Sequence, residues 1–148
     1  MRKKILLPTD GSKQAERAGE YAVASADLNG VDIIVLNVID THYLDALPQQ
    51  DLQDQLANEL KEEGREAVEI FRKTLEDRQC EGKCKNVTFT TLIKEGKPAN
   101  VILKTIDEED IDQVIMGKSG KHGLEKLLLG ATTERVVRSA NIPVNVIS

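Results

Sequence analysis

Two glycine-containing turns carry the residue types that bind an anion. The first, Met116-Gly117-Lys118-Ser119-Gly120, overlaps the end of the apolar run Val114-Ile115-Met116. The second, Gly130-Ala131-Thr132-Thr133, is separated from Gly120 by nine residues and opens a helical pattern. Glycine lets a backbone approach a ligand closely because it has no Cβ. A helix N-terminus adds unpaired N–H groups and the positive end of the helix dipole. The two turns together predict a phosphate-binding site.

Two other glycine motifs for nucleotides are excluded by spacing. A P-loop needs a glycine five residues before Gly117, where the chain has Asp112, and the residues between them read as a strand. The dinucleotide motif Gly-x-Gly-x-x-Gly is absent after the first apolar run, where only Gly11 is present. The sequence therefore indicates neither a P-loop enzyme nor a Rossmann dehydrogenase.

The composition is that of an ordinary globular domain, which we expect to span residues 1–148. Hydrophobic residues make up 40% of the chain and charged residues 30%. The net charge of −5 and the aromatic content of 3% argue against a nucleic-acid partner, which requires a basic surface or stacking aromatics. We find no apolar stretch long enough for a membrane span and no secretory signal, so we expect a cytoplasmic protein with no membrane partner.

Positive charge is concentrated around the glycine turns. From Gly117 to Arg138 there are five basic and two acidic side chains. This distribution fits either the steering of a small anion or an ordinary solvated surface. The two cysteines, Cys80 and Cys84, have neither zinc-site nor Cys-x-x-Cys spacing, and we interpret them as idle thiols, with a disulfide as the alternative.

Apolar runs alternate with helical patterns along the chain. Strands are predicted at Ile5–Pro8, Ile33–Ile39, Val87–Ile93, Val114–Met116 and Val144–Ile147. Helices are predicted from an N-cap at Ser12 to about Leu28, from Leu52 to Glu76 with Gly64 as an interruption, from Pro98 to Ile106, and from Ala131 or Thr132 to Asn141. The strands are almost continuously apolar, which indicates burial by helices on both faces. The predicted fold class is α/β: one doubly wound, five-stranded parallel sheet in the order 3-2-1-4-5.

This topology predicts where a ligand binds. In a doubly wound sheet the site lies at the carboxyl ends of the strands, at the point where the strand order reverses. If the first and fourth strands are neighbours there, Pro8-Thr9-Asp10-Gly11 lies beside Met116-Gly117. The segment Asp40–Gln50 is longer than most connections, and we expect a loop that acts as a lid.

An ordered set of motifs extends along the whole chain. They are Ile5-Leu6-Leu7-Pro8-Thr9-Asp10-Gly11-Ser12, Asn37-Val38-Ile39-Asp40, Glu95-Gly96-Lys97-Pro98-Ala99, Met116 to Gly130, Glu134-Arg135-Val136-Val137 and Pro143-Val144. In these motifs the chain resembles the universal stress proteins, a family with a Rossmann-like fold. ATP-binding members of that family carry Gly-x2-Gly-x9-Gly-[Ser/Thr]. Since Gly117, Gly120 and Gly130 keep this spacing, the chain resembles the ATP-binding branch.

The resemblance implies a ligand, a set of site residues and an assembly. The ligand is ATP, or ADP or AMP, with Mg²⁺ beside the phosphates. The implied cofactor-binding residues are Pro8, Thr9, Asp10, Val38, Met116, Gly117, Lys118, Gly120, Gly130, Ala131, Thr132 and Thr133. Adenosine would lie against Asp10, Val38, Met116 and Gly117, and the phosphates would lie at Gly120 and Gly130–Thr133. The resemblance also implies a homodimer through the last strand and a protein partner that the sequence does not name. As a short apolar edge strand, Val144–Ile147 is also a physical candidate for such pairing.

One position departs from the family pattern. Where the motif has Ser or Thr, the chain has Ala131, which keeps a backbone N–H but lacks a hydroxyl. A hydrogen bond to a charged group is worth about 1.5–3 kcal/mol. Its loss would weaken ATP binding by about one or two powers of ten, unless Thr132, Thr133 or Lys118 compensates.

The site residues also have ordinary structural interpretations. Asp10 fits a turn or a helix cap, Thr132 and Thr133 fit caps of the last helix, and Val38 and Met116 fit the core. Lys118 and Lys121 fit a plain surface.

We predict no catalytic residues, because the chain lacks a Ser-His-Asp set and an arginine finger in cis. The sequence favours an ATP-binding regulatory module of the stress response. The alternatives are a nucleotide-independent dimeric scaffold and a slow ATP hydrolase.

Overall fold

The computed structural model describes residues 2–10, 13–24, 30–81, 87–118 and 129–148. Its strands are β1 (Lys3–Pro8), β2 (Val31–Asp40), β3 (Val87–Gly96), β4 (Gln113–Gly117) and β5 (Val144–Ile147). Its helices are α1 (Lys13–Ala24), α2 (Thr41–Asp45), α3 (Gln50–Glu81), α4 (Pro98–Glu108) and α5 (Ala131–Ser139). Within these residues, no helix is both long enough and apolar enough to cross a bilayer.

The strands form a parallel sheet in the order β3-β2-β1-β4-β5, which confirms the predicted fold class and strand order. The ladders differ in length. β2 pairs with β3 over ten register positions, from Val31↔Val87 to Asp40↔Gly96. β1 pairs with β2 over six positions and with β4 over only two, Ile5↔Gln113 and Leu6↔Val114. The order reverses between β1 and β4, as expected of a doubly wound sheet.

Two core layers cover the two faces of the sheet. One layer joins α1 and α3 to the side chains of Ile5, Leu7, Ile33, Val35 and Ile115. The other joins α4 and α5 to Leu6, Ile34, Leu36, Val114 and Met116. Successive side chains of a strand point to opposite faces, so a strand buried on both faces must be apolar throughout. This arrangement explains the continuous apolar runs in the sequence.

The helices differ from the predictions in several places. The expected loop Asp40–Gln50 contains α2, whose N-cap Asp40 accepts a hydrogen bond at Oδ1 from the N–H of His42 at 2.9 Å. The second predicted helix is α3, which is longer at both ends than Leu52–Glu76. Leu52, the first residue of the predicted helix, lies inside α3 and is 43% exposed. α5 ends at Ser139 rather than Asn141. The predicted cap Ser12 and the helix end near Leu28 lie outside the described residues.

Candidate functional site

The carboxyl ends of β1 and β4 extend beyond their last paired residues. Their ladder stops at Leu6↔Val114, whereas β1 continues to Pro8 and β4 to Gly117. The N–H of Thr9 donates to the carbonyl of Leu36 on β2 at 2.8 Å. Backbone groups of successive strand residues face opposite neighbours, so the nitrogen of Pro8 faces β4, and it has no hydrogen to donate. Pro8 therefore donates no ladder bond to β4, and the strand ends border the switch point.

The turn after β1 is held by its backbone. Thr9 is buried, and its carbonyl accepts a hydrogen bond from Asn37 Nδ2 at 3.1 Å. Since its N–H is bonded to β2 as well, both backbone groups of Thr9 are fixed. Asp10 follows directly and is partly buried. Gly11, the next residue of the predicted turn, lies outside the described residues.

Gly117 is required by the packing of α1. A Cβ at this position would lie 2.8 Å from the Cβ of Gln14 and 2.9 Å from its backbone carbon. Side chains essentially never approach a backbone so closely, so the first turn of α1 can pack here only against glycine. We predicted this glycine for the approach of a ligand. The structure gives it a second reason, the approach of a helix.

The start of α5 is tied to the end of β4. Gly130 is the N-cap of α5, with φ −62° and ψ 154°, and makes no side-chain cap. Its N–H donates to the carbonyl of Lys118 at 3.0 Å, and its carbonyl accepts from the N–H of Glu134 at 2.9 Å. The hydroxyl of the buried Thr133 donates to the carbonyl of Gly117 at 3.0 Å. The interpretation of Thr133 as a helix cap was therefore wrong, because its hydroxyl joins the helix to the strand.

The two predicted apolar residues lie on one face of the sheet. Val38 packs, partly buried, against the core layer under α4 and α5, and Met116 is a buried member of that layer. The structure thus brings together, around the ends of β1, β2 and β4, Pro8, Thr9, Asp10, Val38, Met116, Gly117, Lys118 and Gly130–Thr133. Gly120 lies outside the described residues.

Comparison with known proteins identifies the family. The sequence model of the universal stress protein family matches residues 1–148. The chain belongs to the universal stress protein family. The resemblance in its motifs is thereby confirmed.

This universal stress protein matches similar proteins over most of their length. It is 34% identical to universal stress protein MJ0531 of Methanocaldococcus jannaschii, over 98% of this chain and 81% of the relative. It is 33% identical to universal stress protein MJ0577 of the same organism, over 99% of this chain and 95% of the relative. The solved structure of MJ0577 matches with a TM-score of 0.84 over 99% of this chain and 96% of that chain. A universal stress protein of Archaeoglobus fulgidus, solved in complex with dAMP, matches at 25% identity and a TM-score of 0.59, over 100% of this chain and 98% of that chain.

The charges around the glycine turns are only partly available for an anion. Arg138 forms an ion pair with Glu134 at 2.6 Å, one helical turn away on α5. Arg135 is exposed and Lys118 is partly buried. The remaining basic residues of the predicted cluster, Lys121 and Lys126, lie outside the described residues. Among the described residues, no group of three or more His, Cys, Asp or Glu side chains is placed to bind a metal ion.

A cavity of about 450 Å³ lies on the opposite face, under α3. It is lined by Ile39, Lys61, Arg65, Ile93 and Glu95. Lys61 pairs with Glu95 at 3.2 Å, and Arg65 pairs with Glu62 at 2.7 Å. Since its cations already have carboxylate partners, this cavity offers less to an anion than the switch point does, where N–H groups and glycines converge.

Asn37 belongs to the site region, although it was not among the predicted site residues. Its side chain binds the carbonyl of Thr9 and so fixes the turn that carries Asp10. The available signal was a polar residue within an otherwise apolar strand. A buried amide needs a hydrogen-bond partner, which makes such a position informative.

Proposed function

We propose that this universal stress protein binds an adenine nucleotide (ATP, ADP or AMP) at the switch point between β1 and β4. The observation that carries the proposal is the convergence of the turn after β1, the end of β4 and the N-terminus of α5. The last two are joined by the hydrogen bonds from Gly130 to Lys118 and from Thr133 to Gly117. The dAMP complex of the related Archaeoglobus fulgidus protein supports an adenine nucleotide as the ligand class.

The N-terminus of α5 fits the phosphates. The first N–H groups of a helix have no carbonyl partner within the helix, and the helix dipole favours an anion there. In α5 these groups belong to Ala131, Thr132 and Thr133. The carboxylate of Glu134, in the same turn, is paired with Arg138, which reduces its repulsion of an anion. We propose Gly120 and Lys118 as further phosphate contacts, and Mg²⁺ as the ion that accompanies the phosphates.

The ends of β1 and β2 fit the nucleoside. We propose that Asp10 accepts hydrogen bonds from the ribose hydroxyls, and that Val38 and Met116 provide the apolar side of the adenine site together with Pro8 and Thr9. Val38 is the better exposed of the two apolar side chains, because Met116 is buried in the core. In this proposal a single domain over residues 1–148 acts in the cytoplasm as a regulatory module of the stress response.

Titration calorimetry of nucleotide-free protein with Mg-ATP tests this proposal. We expect saturable binding to the wild type. Binding should weaken about tenfold to a hundredfold in Asp10→Ala, because this variant loses a hydrogen bond to a charged group. Asp77→Ala is the matched control, because Asp77 is an exposed aspartate on α3. The absence of heat and of competition at millimolar Mg-ATP would contradict the proposal. Mass spectrometry of ligand released from freshly purified, denatured protein identifies the nucleotide.

A dimeric scaffold is the second candidate function. β5 is an edge strand of the sheet, paired on one side with β4, and its residues are partly buried. An edge strand offers unpaired backbone groups to a second chain, and a two-fold axis satisfies both copies. We propose a homodimer through Val144–Ile147, which sedimentation at micromolar concentration tests. If the scaffold does not need a nucleotide, the Asp10→Ala variant should bind the protein partner as well as the wild type does.

A further inference from the structure

Asn37 is a buried polar residue near the carboxyl end of β2. It lies on β2, on the face covered by α3, and the residue is 9% exposed. The amide Nδ2 donates to the carbonyl of Thr9 at 3.1 Å. This bond continues the contact of β1 with β2 beyond the last register pair, Pro8↔Leu36. The side chain of Asn37 thus links β2 to the segment after β1, as backbone hydrogen bonds link the paired strands.

The helix α3 packs directly onto this amide through Gly64. A Cβ at Gly64 would lie 2.5 Å from Asn37 Oδ1 and 3.2 Å from Asn37 Cγ. Glycine is unfavourable inside a helix, so its presence here calls for a packing reason. The close contact with Asn37 supplies that reason. The amide is thus confined between the helix on one side and the Thr9 carbonyl on the other.

The bond from Asn37 sets the direction of the next peptide. The described residues contain no cis peptide bond, and in a planar trans peptide the C=O and N–H point in opposite directions. The Thr9 carbonyl points toward β2, where Asn37 binds it. The N–H of Asp10 therefore points away from β2, toward the side of β4 and Gly117. The amide of Asn37 thus restrains the peptide that leads into Asp10.

We propose that Asn37 is a positioning residue for nucleotide binding, acting through the Thr9 carbonyl on Asp10, with Gly64 holding its amide in place. This inference rests on the proposed function, because Asp10 matters only if the switch point binds a nucleotide. A merely structural Asn37 would change stability without any specific link to Asp10. The two roles are distinguished by a double-mutant cycle.

The cycle measures Mg-ATP affinity by calorimetry in Asn37→Ala, Asp10→Ala and the double variant. We expect Asn37→Ala to weaken binding about tenfold in the wild-type background and to have little further effect when Asp10 is already alanine. Gly64→Ala, which displaces the same amide from the side of α3, should also weaken binding. Asn58→Ala is the control, because Asn58 is an exposed asparagine on α3.

The outcomes separate this inference from the function on which it rests. If the wild-type protein does not bind Mg-ATP, the proposed function fails and the positioning role fails with it. If the wild type binds and Asn37→Ala binds equally well, or loses the same factor in both backgrounds, the positioning role alone is overturned. Amide exchange in nucleotide-free protein provides a second readout. Faster exchange at Thr9 and Asp10 in Asn37→Ala than in Asn58→Ala is expected, and unchanged exchange would overturn the inference.

Discussion

Replacing Gly64 of α3 by alanine should destabilise the protein, although alanine is the better helix residue. In an unhindered helix this substitution stabilises by about 1 kcal/mol. Here the new Cβ would lie 2.5 Å from Asn37 Oδ1, so the amide has to move. Moving it breaks the buried hydrogen bond to the Thr9 carbonyl, which costs about 1–3 kcal/mol. Residual crowding in the packed layer adds about 1 kcal/mol or more.

The sum of these opposing effects is a net loss of about 2 kcal/mol in the free energy of unfolding. For a chain of 148 residues this corresponds to a Tm lower by about 4–8 °C. Urea denaturation followed by circular dichroism measures the free energy, and Asn58→Ala on the exposed side of α3 serves as the control.

The decisive measurement is whether Gly64→Ala raises or lowers the free energy of unfolding in the Asn37→Ala variant. Asn37→Ala removes the atoms that the new Cβ would meet, so Gly64→Ala should then stabilise by about 1 kcal/mol, as in any unhindered helix. A Gly64→Ala variant that is more stable than the wild type would refute the reasoning. It would mean that α3 does not confine the amide of Asn37.

Three further predictions concern the site and α3. Gly117→Ala should lower the free energy of unfolding by about 1–3 kcal/mol, because its Cβ would meet the backbone of Gln14; a urea midpoint equal to that of the wild type would contradict this. Ala131→Ser, which restores the hydroxyl of the family motif, should tighten Mg-ATP binding by about tenfold to a hundredfold in calorimetry, and unchanged affinity would show that this hydroxyl has no role. The Arg72 guanidinium, through its hydrogen bond, holds the pKa of the Glu69 carboxyl below its ordinary value, so Arg72→Met should raise that pKa in an NMR titration. A carboxyl whose pKa is lowered by folding stabilises the protein at pH values above its unfolded pKa, and this stabilisation is lost as the pH falls through the folded pKa. The difference in stability between wild type and variant should therefore shrink in acid.

The sheet was predictable from the sequence because its strands are buried on both faces. Runs such as Ile33–Leu36 are apolar without interruption, as expected of a strand covered by two helical layers. The alternation of strands and helices, with right-handed crossovers, predicted a doubly wound parallel sheet. These patterns are local or general, so one sequence is sufficient to infer them. The order 3-2-1-4-5 does not follow from them alone, because the order 2-1-3-4-5 satisfies the same rules.

The details that were missed depend on contacts between distant parts of the chain. Helical periodicity shows which residues of α3 share a face, but not how far the sheet extends beneath it, so it does not reveal that Leu52 is exposed. Thr133 looked like a cap because hydroxyls favour that role, whereas its actual acceptor is the carbonyl of Gly117. Gly64 was interpreted as an interruption of the helix, whereas the structure shows that Asn37 packs against it and leaves no room for a Cβ.

The short ladder between β1 and β4 divides the sheet into two parts, one with β3, β2 and β1 and the other with β4 and β5. Among the described strands, this seam has two register pairs, against six between β1 and β2 and four between β4 and β5. Opening along the seam breaks fewer ladder bonds than opening at any other junction of the sheet, so it is the natural boundary of a sub-global unfolding unit. The nucleotide that we propose at the switch point would touch both parts, and its binding energy would add to the work of separating them. The shortest ladder of the sheet is thus the one that a small molecule bound across it would reinforce most.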